Sequence, residues 1–114
     1  WIEVDLLVNK LIGGIVTWGR GGSVNIPQWV KTFNVEYRVD GSNNWIKYTN
    51  NTGSLLTFIG NENRQQPVLN DFAENVIARY IRLYPLTSYY GPTMRWEVLG
   101  CATCKSSHLF EGTF

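Results

Sequence analysis

The sequence predicts an all-β domain, an antiparallel β-sandwich, on three observations. Apolar residues recur at every second position in several short segments, and Gly, Asn and Pro turns separate those segments. No stretch shows the 3.6-residue period of an amphipathic helix. Hydrophobic residues make up 44% of the 114, including five Trp, six Tyr and five Phe. That is ample material for the core of one domain and too much for a disordered segment.

The elements follow in order. From Trp1 to Leu6, Ile2, Val4 and Leu6 share one face, while Glu3 and Asp5 share the other. Leu11 to Trp18 is apolar and β-branched, and Gly13-Gly14 inside it signals a bulge or a close backbone approach. Phe33, Val35, Tyr37 and Val39 alternate with Asn34, Glu36 and Arg38, the strongest strand signal in the chain. Asp40-Gly41 and the polar residues after it make a turn, and Trp45 to Tyr48 returns. Leu55 to Ile59, Pro67 to Phe72 and Val76 to Leu83 read as further strands. In the last, Met94, Trp96 and Val98 face one way and Arg95 and Glu97 the other, the charged two as a surface pair. Arg79 is expected on the face of Ile77 and Ile81, partly buried, with Glu3, Asp5 or Glu97 as its carboxylate partner. Seven or eight short strands of this kind make two packed sheets, with loops gathered at the two ends.

Composition excludes several functions. Ten Lys and Arg against nine Asp and Glu leave a net charge of +1, without the basic footprint of a nucleic-acid binder. The Arg20-Gly21-Gly22 triplet is a single RGG without repeats, so no nucleic-acid partner is predicted. The longest apolar run is far shorter than the ~20 residues of a membrane-spanning helix. His108 is the only histidine, which argues against a zinc site and against a His-based nucleophilic centre, and neither a catalytic nor a metal site is predicted. The chain begins at Trp1 and its one methionine is Met94, as expected of a processed chain or a fragment. Cys101 and Cys104 form a C-x-x-C and are disulfide candidates, with each other or with outside partners. Asn50-Asn51-Thr52 is an N-x-T glycosylation sequon with Asn50 as acceptor, and both features fit an extracellular protein.

Six stretches, WIEVDL, GIVTWG, QWVKTFNVEYRVDGSNNWIKY, FIGNENRQQPVLNDF, ARYIRLYP and MRWEVLGC, occur in the order found in the discoidin family. These are the C-type modules of coagulation factors V and VIII. The resemblance runs from Trp1 to Cys101 and implies a distorted jelly-roll sandwich over residues 1–101, with 102–114 as a tail or linker. It also implies a non-catalytic module that binds through loops, called spikes, at one end of the sandwich. The segment after GIVTWG resembles the third spike, and Thr87 to Pro92 resembles a loop at the same end. In the family a cysteine, a first strand and two further spikes precede WIEVDL, so the chain is expected to be truncated at its N-terminus. Cys101 would then lack the partner the resemblance implies. Calcium is implied by the resemblance alone, since no Asp/Glu-rich loop stands out.

These readings predict an extracellular recognition or cell-adhesion module, secreted or part of an ectodomain, belonging to a larger multidomain or oligomeric protein. Its expected partner is a cell-surface or matrix glycan or protein. Tyr89 and Tyr90, with Trp29 or Trp18, supply an aromatic platform, and Arg20, Ser23 and Asn25 supply polar groups. Trp18 and Trp29 also read as core or rim packing. Tyr89 and Tyr90 are adjacent, so in extended chain at most one would face a ligand. Anionic phospholipid such as phosphatidylserine is the second reading, although only Val24 and Ile26 would be available to insert. Burying two such side chains contributes about 3–5 kcal/mol. A structural spacer domain is the third.

Overall fold

The computed structural model describes residues 1–19, 28–50, 52–63, 65–91, 93–100 and 105–113, with side-chain surroundings for all but the last of these segments. The described residues are all-β. The strands are β1 (Ile2–Trp18), β2 (Trp29–Arg38), β3 (Ile46–Lys47), β4 (Phe58–Ile59), β5 (Val68–Tyr89), β6 (Thr93–Gly100) and β7 (Lys105–Thr113). Every pairing is antiparallel, in the order β3-β2-β5-β1-β6-β7, with β4 also on β2. No helix of the described residues is long and apolar enough to cross a membrane. Lys105–Thr113, within the segment expected to be a tail, runs as a strand beside β6.

Segments that read as four separate strands are two long ones. β1 has 17 residues and β5 has 22, and their pairing is interrupted by two register shifts, where bulged strands bend and twist. Near one end, Leu6 to Asn9 lie opposite Arg79 alone. Leu7 takes φ 73° there, and its N–H donates to Asp5 Oδ1 at 2.8 Å. Farther along, Gly13 lies opposite Phe72 to Asn75, the irregularity that Gly13-Gly14 predicts. A Cβ on Gly14 would come within 2.8 Å of the Asn70 carbonyl oxygen, so β5 can approach only a glycine.

The expected core alternation holds in the straight segments. Val4 and Leu6, Phe33 and Val35, and Met94, Trp96 and Val98 are all buried. A second group of rings, Tyr48, Phe58 and Phe72, fills the space beneath β4, with Phe58 stacked on Phe33 at 5.3 Å. In β5 the buried positions change parity, from Val76 and Ala78 to Ile81 and Leu83. The expectation that Ile77, Arg79 and Ile81 share a face therefore fails. The four-against-one bulge at Arg79 resets the alternation, leaving Ile77 56% exposed while Ile81 is buried. The carboxylate expectation for Arg79 holds, because Nε donates to Asp5 Oδ1 at 2.8 Å and NH1 lies 3.3 Å from Asp40. Arg95 and Glu97 form no ion pair among the described residues. Arg95 instead lies over Trp18, its register partner on β1, with the guanidinium 5.5 Å from the ring centroid.

A candidate recognition surface at the loop end

β1 and β5 end, and β2 begins, at the same end of the sandwich. Antiparallel register puts Trp29, the first residue of β2, directly opposite Tyr89, the last residue of β5. Directly opposed residues on one face of such a ladder bring their side chains into contact. The two rings stack with centroids 4.4 Å apart and planes inclined by 15°. Tyr90 follows with φ 52°, so the chain is not extended there. This turn overturns the expectation that Tyr89 and Tyr90 point to opposite sides. Their centroids are 4.6 Å apart in an edge-to-face arrangement, and Tyr90 is 70% exposed.

Gln28 fixes this geometry, its Nε2 donating to the Tyr90 carbonyl oxygen at 2.6 Å. Gly91 continues the turn at φ 108°, and a Cβ there would meet Gln28 Nε2 at 3.0 Å. Below the rings, the hydroxyls of Thr32 and Thr87 share a hydrogen bond of 2.7 Å across the two strands. Lys31 adds a cation, with Nζ 5.9 Å from the Tyr89 centroid. Behind the cluster, the buried Asn61 donates through Nδ2 to the carbonyls of Thr17 and Gln66, both at 2.9 Å, tying the 60–67 loop to the end of β1. Gly60 fits against Val30 because a Cβ would sit 2.6 Å from that residue's carbonyl oxygen.

Of the residues predicted to bind, Trp29, Tyr89 and Tyr90 therefore lie together. Trp18 is half-buried at the same end and carries Arg95 over its ring. Arg20, Ser23, Val24 and Asn25 lie outside the described residues, as do Cys101 and Cys104. Asn50 is exposed in the turn after β3, on the rim of a separate cavity. Sequence reading missed Gln28 and Lys31, and the signal for them was faint. Lys31 shares a strand face with Trp29 at i, i+2, and Gln28 directly precedes the ring it helps to frame. Among the described residues, no three His, Cys, Asp or Glu side chains are grouped to hold a metal ion.

The jelly-roll sandwich gathers exposed rings and a cation where its strands end, the place where a rigid scaffold presents its loops. Residues 1–98 match the F5/8 type C domain, and the chain belongs to that family, the discoidin family. It is 40% identical over 103 residues to retinoschisin of Mus musculus, covering 90% of this chain and 45% of that protein. With lactadherin of Rattus norvegicus it shares 38% identity over 104 residues, 89% of this chain and 23% of the relative. The solved structure of discoidin II of Dictyostelium discoideum superposes with a TM-score of 0.73 at 28% identity, over 86% of this chain and 36% of that one. The chain spans less than half the length of each of these relatives.

Proposed function

We infer that the chain is a non-catalytic extracellular recognition module that grips a cell-surface or matrix glycan or protein with its loop end. The observation that carries this reading is the stack of Trp29, Tyr89 and the exposed Tyr90 beside Lys31. A sugar presents C–H faces that pack on rings and hydroxyls that need donors and acceptors, and this surface offers both. Members of the family are mostly non-enzymatic binding modules, which supports the same reading. On this reading Arg20, Ser23, Val24 and Asn25, which lie outside the described residues, add polar and apolar contacts to the ligand. A glycan array and a panel of matrix proteins test the proposal. Binding that is lost in Tyr90→Ala supports it, whereas binding indifferent to both Tyr90→Ala and Trp29→Ala sinks it.

Lys31 beside an exposed tyrosine also favours a second reading, an anionic phospholipid surface. A basic side chain near such a surface gains about 1 kcal/mol. Co-sedimentation with phosphatidylserine vesicles, and not with neutral ones, would select this reading over the first.

A further inference from the structure

Away from the loop end, a cavity of about 880 Å³ opens between the turn at residues 48–56 and the bulge of β5. Its lining is mixed. Tyr37, Leu56 and Val76 give ring and aliphatic surface, while Thr49, Asn50 and Thr52 bring hydroxyl and amide groups. The back wall is fixed by Tyr48, whose hydroxyl donates to the Glu74 carbonyl at 3.1 Å and accepts from the Glu74 N–H at 3.2 Å. Flat apolar surface beside hydrogen-bonding groups suits a saccharide.

The sequon stands on the rim of this cavity. Asn50 opens a tight turn in which its N–H donates to the Ser54 carbonyl, while Gly53, at φ 81°, returns an N–H to the Asn50 carbonyl. Among the described residues, the Asn50 side chain is held through its oxygen. Oδ1 accepts from the Thr52 hydroxyl at 2.7 Å, the Thr52 N–H at 3.0 Å and the Ser54 N–H at 3.1 Å. Among the described residues nothing bonds to Nδ2, so a substituent on that nitrogen breaks no hydrogen bond.

We propose that Asn50 is an N-glycosylation site and that the cavity receives the core sugars of the glycan it carries. The donor is a lipid-diphosphate-linked oligosaccharide. Asn50 Nδ2 forms a bond to the anomeric carbon and gives up one proton, the bond from that carbon to the diphosphate oxygen breaks, and the lipid diphosphate leaves. Tethering makes the docking intramolecular, so weak contacts with Tyr37 and Leu56 suffice to hold a sugar there. The proposal needs passage through a secretory pathway and is independent of what the loop end binds.

The test is to secrete the chain from a eukaryotic cell and to measure intact mass and amide hydrogen exchange. The expected result is an oligosaccharide on the wild type that is missing from both Asn50→Gln and Thr52→Ala. Exchange across Ala73 to Ile77 should be at least severalfold slower in the glycosylated protein than in either variant. Two variants are used so that a folding defect in one does not decide the matter. Trimming the glycan enzymatically to its first sugar leaves Asn50 intact and should return most of the exchange rate. A wild type secreted without sugar at Asn50 overturns the proposal, as does a glycosylated protein that exchanges in this segment as fast as the variants.

Discussion

Two clusters on this molecule combine aromatic rings with cations, and they differ in what the cations already hold. On the outer face of β1, β5 and β2, the Arg82 guanidinium lies 3.9 Å from the centroids of both Trp1 and Trp45, and Arg38 covers Tyr80 at 4.2 Å. Each charge there is answered nearby. Arg82 meets Glu3 at 2.8 Å, Arg79 meets Asp5 and Asp40, and Arg38 donates to the Ser42 carbonyl. At the loop end, Lys31 forms no ion pair among the described residues, and the outermost ring stands in solvent. Similar residue types thus serve two purposes. Paired charges sandwiched between rings staple a sheet, while an unpaired cation beside an exposed ring leaves interaction capacity for a ligand.

Substitutions can break this contrast, and the largest effect is expected on binding at the loop end. Trp29→Ala removes the ring on which Tyr89 stacks and should weaken ligand affinity at least about tenfold by titration calorimetry, as befits a central aromatic anchor. A smaller effect on stability is expected from Gly91→Ala, which forces a side chain into φ 108° and against Gln28. A loss of about 1–3 kcal/mol in urea unfolding is the expected outcome, together with weaker binding. Arg82→Ala should cost about 1 kcal/mol of stability and leave affinity unchanged; an affinity loss here would show that the outer face also binds.

The smallest effect is pH-dependent. The Arg79 hydrogen bond, helped by the Leu7 N–H, holds the Asp5 carboxyl below the usual carboxylate range. A depressed value in the folded state means that the stabilisation is complete above the unfolded value and fades as pH falls through the folded one. Asp5→Asn should therefore flatten the stability profile only below about pH 4–5, as read by thermal melts across pH.

Much of this was legible in the sequence, because alternation in a straight strand depends only on that strand. Phe33 and Val35, or Met94, Trp96 and Val98, could be assigned to the core from their spacing alone. A bulge instead depends on how many residues the partner strand supplies, and that is why Leu6 to Asn9 and Phe72 to Asn75 hid the continuity of β1 and β5. The same cause moved Ile77 to the surface. At the loop end, residue type pointed to Trp29, Tyr89 and Tyr90, but the positive φ that turns the last two rings towards each other is set by Gly91 and Gln28. The cavity was invisible for a further reason: its walls come from three segments far apart in the chain.

The pairing of β1 with β5 also bears on synthesis. Thr17 pairs with Val68 and Ile2 with Leu83, so main-chain partners for β1 on β5 arrive only after some 50 to 80 further residues have been made. At roughly 5–20 residues per second, that is a wait of about 3–16 s. Until those partners are made, Val4, Leu6, Ile12 and Ile15, all buried in the finished fold, have no β5 strand beside them. Contacts this distant also fold slowly once the chain is complete. The long-range, bulged pairing that shapes the sandwich thus also sets how long the nascent strand waits for its partner.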